Sequence, residues 1–134
     1  MGLGVWIHNR HLRRVIIDAI NNKKDRRQLL RELLHAGNIL ACCPINVTEV
    51  YAGMRPAEEP RTQEFLQTLR YYPITWTVAR LAGLVKRDYS KKGITLATTD
   101  VTIAAVALHH QLSLITDNLK HYPMKELSLY PLQN

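Results

Sequence analysis

The chain has 134 residues, of which 46% are hydrophobic and 22% are charged, a length and composition typical of one folded domain. Eighteen Lys and Arg residues against eleven Asp and Glu residues give a formal charge of +7, which favours a polyanionic partner such as nucleic acid. The sequence lacks an apolar run long enough to span a membrane and lacks a signal-peptide pattern. We therefore expect a single cytoplasmic domain over residues 1–134, with no membrane partner.

Helical and strand patterns alternate along the chain. A stripe of leucines marks one helix, and a run of apolar residues on nearly every side marks a later, buried helix. The predicted elements, in chain order, are a weak strand at 2–8, helices at 15–20 and 26–36, a strand at 39–43, a helix at 45–54, a turn at 56–60, a helix at 61–69, a short strand at 74–76, helices at 77–91 and 100–109, and strands at 113–116 and 127–130. Helices that alternate with short apolar strands predict an α/β fold with a parallel sheet covered on both faces.

The adjacent cysteines, Cys42 and Cys43, lie inside an apolar run. We expect them to be buried, reduced thiols, because a metal-binding or redox pair is typically spaced as C-x-x-C. We expect the histidines His109, His110 and His121 to interact with a helix dipole or with solvent, since none of them has the spacing of a zinc site. Phosphate-binding glycine loops and the G-x-S-x-G nucleophile motif are also missing from the sequence.

Three carboxylates lie in apolar surroundings, where acidic residues are rare unless they are paired or bound to a metal. Glu49 lies in a helix just after a strand, Asp100 opens the buried helix together with a predicted cap at Thr99, and Asp117 directly follows a strand. In open parallel sheets, ligands bind beyond the carboxyl ends of the strands. Three acids that converge there require a cation, and hard oxygen ligands favour Mg²⁺ or Mn²⁺ over zinc.

Each of these acids, taken singly, also has a structural explanation. Asp100 suits the first turn of a helix because of the helix dipole. Asp117 suits a turn together with Asn118, and Glu49 suits a half-exposed helix position. The metal-site hypothesis depends on the three acids occurring together at one predicted edge of the sheet.

Three segments of the chain resemble one known family. Residues 100–108, DVTIAAVAL, resemble the D-x-x-I-A-A-x-A-L helix of PIN domains. Residues 112–122, LSLITDNLKHY, resemble that family's strand, acidic turn and H-[FY] segment, and residues 45–53, INVTEVYAG, resemble its glutamate-bearing helix. The likeness extends over about residues 15–132 and is greatest to the VapC-type toxins of bacterial toxin–antitoxin pairs.

The resemblance implies a three-layer α/β/α sandwich and a Mg²⁺-dependent endoribonuclease. It also implies a cognate antitoxin that occludes the site, and a homodimer. The metal ligands would be Glu49, Asp100 and Asp117, with either Asp117 or its neighbour Asn118 facing the metal. Thr116 or Asn46 would orient water or phosphate. Carboxylates that hold hard cations suit this chemistry, because such cations bridge a scissile phosphate and activate water, while Lys and Arg bind the RNA backbone.

The N-terminal residues 1–14 depart from the family pattern. Such toxins usually begin with a strand that ends in Asp-Thr-[Ser/Asn], followed by a V-[IL]-I-D helix. Residues 15–18 match that helix, which places Leu12, Arg13 and Arg14 where the first metal-binding aspartate and its neighbours would stand. Asp18 matches a later, non-catalytic position about two helical turns away.

We hypothesise that a shifted reading frame accounts for this departure. The codons GAC-ACC-TCC-GTC encode Asp-Thr-Ser-Val, and reading them two bases late gives His-Leu-Arg, as in residues 11–13. Resequencing the locus tests this hypothesis, which fails if no alternative frame encodes Asp-Thr-Ser before Val15.

Three functional interpretations remain open at this point. The chain is an active metal-dependent ribonuclease, a catalytically impaired PIN-fold protein that still binds an antitoxin or RNA, or a basic RNA-binding module without chemistry. The apolar surroundings of the three acids argue against the third.

Overall fold

The strands form one five-stranded sheet, in a computed structural model that describes residues 4–7, 39–116 and 119–131. Its strands are β1 (Gly4–Ile7), β2 (Ile39–Cys42), β3 (Arg70–Tyr71), β4 (Ser113–Thr116) and β5 (Ser128–Pro131). The helices are α1 (Pro44–Gly53), α2 (Glu59–Gln67), α3 (Trp76–Lys91) and α4 (Thr98–His109), with short 3₁₀ helices at Pro56–Glu58 and Leu119–His121.

The sheet is parallel throughout, with the strand order β3-β2-β1-β4-β5. The connections from β2 to β3 and from β3 to β4 run in opposite directions across the sheet. Because such crossovers are almost always right-handed, α1 and α2 lie on one face and α3 and α4 on the other. The predicted α/β sandwich with a short parallel sheet is confirmed.

The strand order fixes the place where a ligand is expected. From β1 the chain adds β2 and then β3 on one side of the sheet. It then crosses back to add β4 and β5 on the other side of β1, so the direction in which strands are added reverses between β1 and β4. Ligands of open α/β sheets bind beyond the carboxyl ends of the strands at such a switch point. In this sheet the point lies beyond Ile7 of β1 and Thr116 of β4, which belong to neighbouring central strands.

The core is built around α4. This helix presents apolar side chains on nearly every side, as its sequence predicts, and five consecutive residues from 103 to 107 are buried. They pack with buried residues of β4 and α3, including Leu114, Val78 and Ala82. Cys42 and Cys43 are also buried and unpaired by disulfides, as predicted.

Several predicted boundaries need correction. The predicted strand at 74–76 is wrong: the strand lies earlier, at Arg70–Tyr71, and the backbone enters α3 at Trp76. The Thr75 side chain accepts a hydrogen bond from the Val78 N–H at 3.3 Å, which is an N-terminal helix cap and not a strand contact. The predicted cap at Thr99 is also wrong, because α4 begins at Thr98 and Ala97 occupies the cap position.

The central strand of the described sheet comes from the N-terminal segment. The weak strand expected at 2–8 is present as β1, paired with β2 on one side and β4 on the other. The helices predicted at 15–20 and 26–36 lie outside the described residues. In the described part of the chain, no helix combines the length and the hydropathy needed to span a bilayer.

Candidate active site

Asp100 occupies the first turn of α4, where a helix dipole favours a negative side chain. Its side chain is only 17% exposed. The neighbouring residues Val101 and Ile103 are buried, and they fix the rotation of the helix against the core. Asp100 is therefore held in the first turn of a well-packed helix, with most of its side chain shielded from water.

His121 contacts this carboxylate. Its Nδ1 lies 3.2 Å from Asp100 Oδ2, within the range of a hydrogen bond in which Nδ1–H donates. His121 ends the 3₁₀ helix that follows β4, so the contact brings Asp100 to the segment just past the carboxyl end of β4. The sequence prediction assigned His121 a dipole or solvent role and missed this contact. The H-[FY] pair before Pro123 was the signal available for it.

Glu49 lies on α1, the helix that starts directly after β2. Its side chain is half-buried. Burial raises the pKa of the Cys43 thiol above 9.0, hydrogen bonds with the backbone at Asn46 and Ile45 oppose that rise, and the negative charge of Glu49 adds to it. Because α1 begins at Pro44, two residues after the end of β2, Glu49 lies in the second turn of a helix that starts at the carboxyl end of β2.

Asn46 holds the turn between β2 and α1. Its side chain is fully buried, and its Oδ1 accepts a hydrogen bond from the Cys43 N–H at 2.8 Å. This bond satisfies a backbone donor at the start of α1, which would otherwise lack a partner within the helix. The bond also fixes how α1 leaves the sheet, and thereby where Glu49 lies one turn later. The predicted role of Asn46 in orienting water or phosphate stays a prediction.

The remaining predicted site residues follow β4. Thr116 is the last paired position of β4, in register with Pro131 of β5, and directly precedes the predicted acidic turn. Asp117 and Asn118 lie outside the described residues. Within the residues that the structure describes, no group of three or more His, Cys, Asp or Glu side chains is arranged to hold a metal ion.

Two of the three predicted metal ligands, Glu49 and Asp100, lie within the described residues, and both belong to the same edge of the sheet. Glu49 follows β2 and Asp100 contacts the segment after β4, and these two strands flank β1. Neighbouring strands are about 4.8 Å apart, so β2 and β4 are separated by about 10 Å. Carboxylate oxygens at this edge of the sheet are the type of donor that Mg²⁺ or Mn²⁺ prefers.

Comparison with known families identifies the fold. The family model described as PIN domain matches residues 13–126. The chain belongs to the PIN domain family. The match begins after β1, so the PIN pattern is recognised from the residues that follow the N-terminal segment.

Two curated PIN relatives come from Mycobacterium tuberculosis. "Ribonuclease VapC19" is 27% identical over 110 residues, which are 82% of this chain and 88% of that protein. "Ribonuclease VapC10" is 36% identical over 87 residues, which are 65% of each chain.

Solved structures with the same PIN fold include two VapBC assemblies. VapBC2 from Rickettsia felis, bound to a DNA fragment from its promoter, has a TM-score of 0.79 at 21% identity and covers 98% of this chain and 100% of that one. DNA-bound VapBC from Salmonella typhimurium has a TM-score of 0.76 at 18% identity, with 98% of each chain covered. At these identities the likeness shows the fold.

Proposed function

We propose that this PIN domain is a Mg²⁺-dependent endoribonuclease and the toxin of a toxin–antitoxin pair. The observation that carries the proposal is the placement of Asp100, half-buried and held by His121 beside the end of β4 at the topological switch point. The names of the curated relatives, which are ribonucleases, support an RNA-cleaving hydrolase.

The donor set fits a hard divalent cation. Asp100 and Glu49 offer carboxylate oxygens, and Asp117 supplies the third in the proposal. Burial raises the pKa of the Cys42 and Cys43 thiols, which disfavours the thiolate form that binds zinc. A bound Mg²⁺ or Mn²⁺ supplies Lewis-acid stabilisation of the scissile phosphate and a more acidic water.

The chain's own residues prepare this chemistry. In the proposal, Glu49 and Asp100 would hold the cation together with Asp117 or its neighbour Asn118. His121 keeps the Asp100 carboxylate in one orientation, and Asn46 fixes the helix that carries Glu49. Ligands held by such hydrogen bonds need no reorganisation when the substrate arrives. In the proposal, Thr116 or Asn46 orients water or phosphate.

The proposed partners are RNA, a cognate antitoxin and a second copy of the chain. The net charge of +7 suits an RNA backbone. The VapBC titles of the solved neighbours support an antitoxin partner. Two buried, unpaired cysteines suit a reducing compartment, and we place the protein in the cytoplasm.

A cleavage assay with a matched acid control tests the proposal. Purified protein is incubated with a mixed RNA substrate while Mg²⁺ is titrated, and EDTA serves as the blank. We expect Asp100→Asn to lower the cleavage rate at least about 100-fold, because a ligand and a charge are lost. Glu64→Gln, which removes an exposed acid of α2, should leave the rate unchanged. Cleavage that persists in Asp100→Asn or in EDTA contradicts the proposal.

The second candidate function is a PIN fold with impaired catalysis that still binds an antitoxin or RNA. The residues Leu12, Arg13 and Arg14, at the place where the family resemblance expects Asp-Thr-Ser, favour it. Leu12→Asp should raise the cleavage rate if the resemblance is aligned through residues 15–18. Because β1 ends at Ile7, His8→Asp is the matched variant for an alignment through the strand end. A wild type that cleaves strongly, with no gain in either variant, argues against this candidate.

A further inference from the structure

The solvent face of α3 carries an aromatic and basic stripe. Trp76, Arg80, Gly83 and Arg87 follow one another at i, i+4, i+7 and i+11, a spacing that places them on one helix face, and Lys91 continues the row. All five residues are exposed, while Val78 and Ala82 on the opposite face are buried. We call these five residues the α3 stripe.

Trp76 is the most exposed large hydrophobic residue of the described chain, at 85%. An indole in that position gains nothing from the protein core, because its surface remains in water. Packing does not require Gly83 either, because a Cβ at this position would meet nothing within 4 Å. Glycine inside a helix costs about 0.5–1 kcal/mol relative to alanine. Neither residue is explained by the stability of the isolated chain.

The charge of the α3 stripe has one sign. Arg80, Arg87 and Lys91 are basic, and the single acid in α3, Asp88, lies off the row. Asp88 Oδ1 is 3.5 Å from Arg87 Nη2, but both side chains are more than half exposed. Such a surface pair is worth little in water. The stripe therefore presents three positive charges and an indole face over about 22 Å of helix.

The last turns of α3 contact segments that flank the candidate active site. Tyr89 Oη donates a hydrogen bond to the Pro123 carbonyl at 3.2 Å, and Pro123 is two residues past His121. The Lys86 ammonium donates to the carbonyl of Leu96, which precedes α4. These contacts come from the face of α3 opposite the stripe, and they place the Lys91 end of the helix, not the Trp76 end, near the segments that hold Asp100 and His121.

We propose that the α3 stripe binds the single-stranded RNA substrate on its path to the cleavage site, with phosphates on the basic side chains and a base stacked on Trp76 at the end of the helix away from that site. This inference deepens the proposed function and rests on it. Positive charges that follow a backbone, combined with an aromatic side chain that stacks a base, are the usual means of binding single strands. Gly83 leaves room for the strand to lie close to the helix.

The stripe suits other occupants less well. A second copy docked through the same face would bring positive charges against positive charges, which opposes a symmetric dimer. A partner helix needs a row of large apolar anchors, whereas Trp76 is the single large apolar residue of the stripe. RNA offers phosphates for the positive charges and bases that stack on the indole.

Equilibrium binding in EDTA tests the stripe without cleavage. The probe is a short fluorescein-labelled oligouridine, and anisotropy is measured as salt is increased. We expect Trp76→Ala to weaken binding about tenfold, the loss of one stacked base. The double variant Arg80→Gln/Arg87→Gln should lower the salt slope by about 1.4, the contribution of two phosphates on a single strand. Thermal unfolding measured by circular dichroism checks that each variant is folded.

Two control variants remove similar groups elsewhere. Arg61→Gln removes an exposed base of α2, on the opposite face of the sheet, and Tyr71→Ala removes an exposed aromatic of β3. Equal losses in the controls and in the stripe variants overturn the proposal, because they indicate diffuse charge binding. Unchanged RNA affinity overturns it too, and a changed sedimentation mass or a lost antitoxin complex in Trp76→Ala would then identify the true occupant. Stripe-dependent binding by a protein that fails to cleave with Mg²⁺ supports the stripe and contradicts the proposed function.

Discussion

Removing the His121 imidazole should weaken metal binding without unfolding the protein. The variant His121→Ala deletes the donor that lies 3.2 Å from Asp100 Oδ2. Asp100 then loses the contact that joins α4 to the segment after β4. We expect the carboxylate to sample other rotamers and to hold the cation less firmly.

The size of the expected loss in Mg²⁺ affinity follows from how exposed the His121 and Asp100 side chains are. A hydrogen bond to an ionised partner contributes about 1.5–3 kcal/mol when buried. His121 is 44% exposed and Asp100 is 17% exposed, so water competes for the imidazole and the lower end of that range applies. About 1.4 kcal/mol corresponds to a tenfold change. We therefore expect the Mg²⁺ concentration for half-maximal cleavage to rise about tenfold in His121→Ala.

A conservative variant separates positioning from simple packing. His121→Asn keeps an N–H donor near the position of Nδ1, and it should recover most of the lost Mg²⁺ affinity. The assay measures the RNA cleavage rate over a Mg²⁺ titration, and kcat at saturating Mg²⁺ should change less than the half-maximal concentration. An unchanged Mg²⁺ dependence in His121→Ala, or equal losses in the alanine and asparagine variants, refutes the positioning role.

Three further predictions concern stability. Gly83→Ala should raise the free energy of unfolding by about 0.5–1 kcal/mol, because the new methyl group meets open space; a loss of stability in chemical denaturation would refute this. Ile103→Val should cost about 0.5–1.5 kcal/mol and Ile103→Ala about 2–5 kcal/mol, since this side chain is fully buried, and an exposed site such as Ile94→Val should cost much less. Burial, and secondarily Cys43, raises the pKa of the Cys42 thiol from 9.0 to about 11. The unfolded thiol therefore ionises first, so stability should fall by about 2–3 kcal/mol between about pH 9 and pH 11. Denaturation of Cys42→Ala should show a shallower fall, and identical pH profiles would contradict the assigned burial.

The elements with the strongest patterns were predictable from the sequence. The buried helix α4 and the strand β4 follow from uninterrupted apolar runs whose lengths separate a helix from a strand. The prediction for residues 70–76 was wrong because Ile74 and Trp76 have the residue types of a strand. The structure there is decided by the Thr75 helix cap and by the pairing of Arg70 with Ala41. Such pairing depends on residues far away in the sequence, which a local pattern does not contain.

The candidate site was also predictable only in part from the sequence. Glu49 and Asp100 were recognisable because acids stand out in apolar segments. The contact between His121 and Asp100 spans 21 residues and two elements, so spacing along the chain gave no indication of it. The sequence pattern also left the central strand β1 uncertain, because its four residues are too few to show a clear period.

The proposed function requires a divalent-metal centre formed by the carboxylates at the end of the sheet, and Mn²⁺ binding tests for this centre without knowledge of the RNA target. Mn²⁺ is titrated into the wild type, Asp100→Asn and the control Asp88→Asn, and free Mn²⁺ is followed by electron paramagnetic resonance. The account predicts binding by the wild type and the control, and an affinity at least about tenfold weaker in Asp100→Asn. A wild type that binds no Mn²⁺, or an Asp100→Asn variant that binds it equally well, would contradict the account.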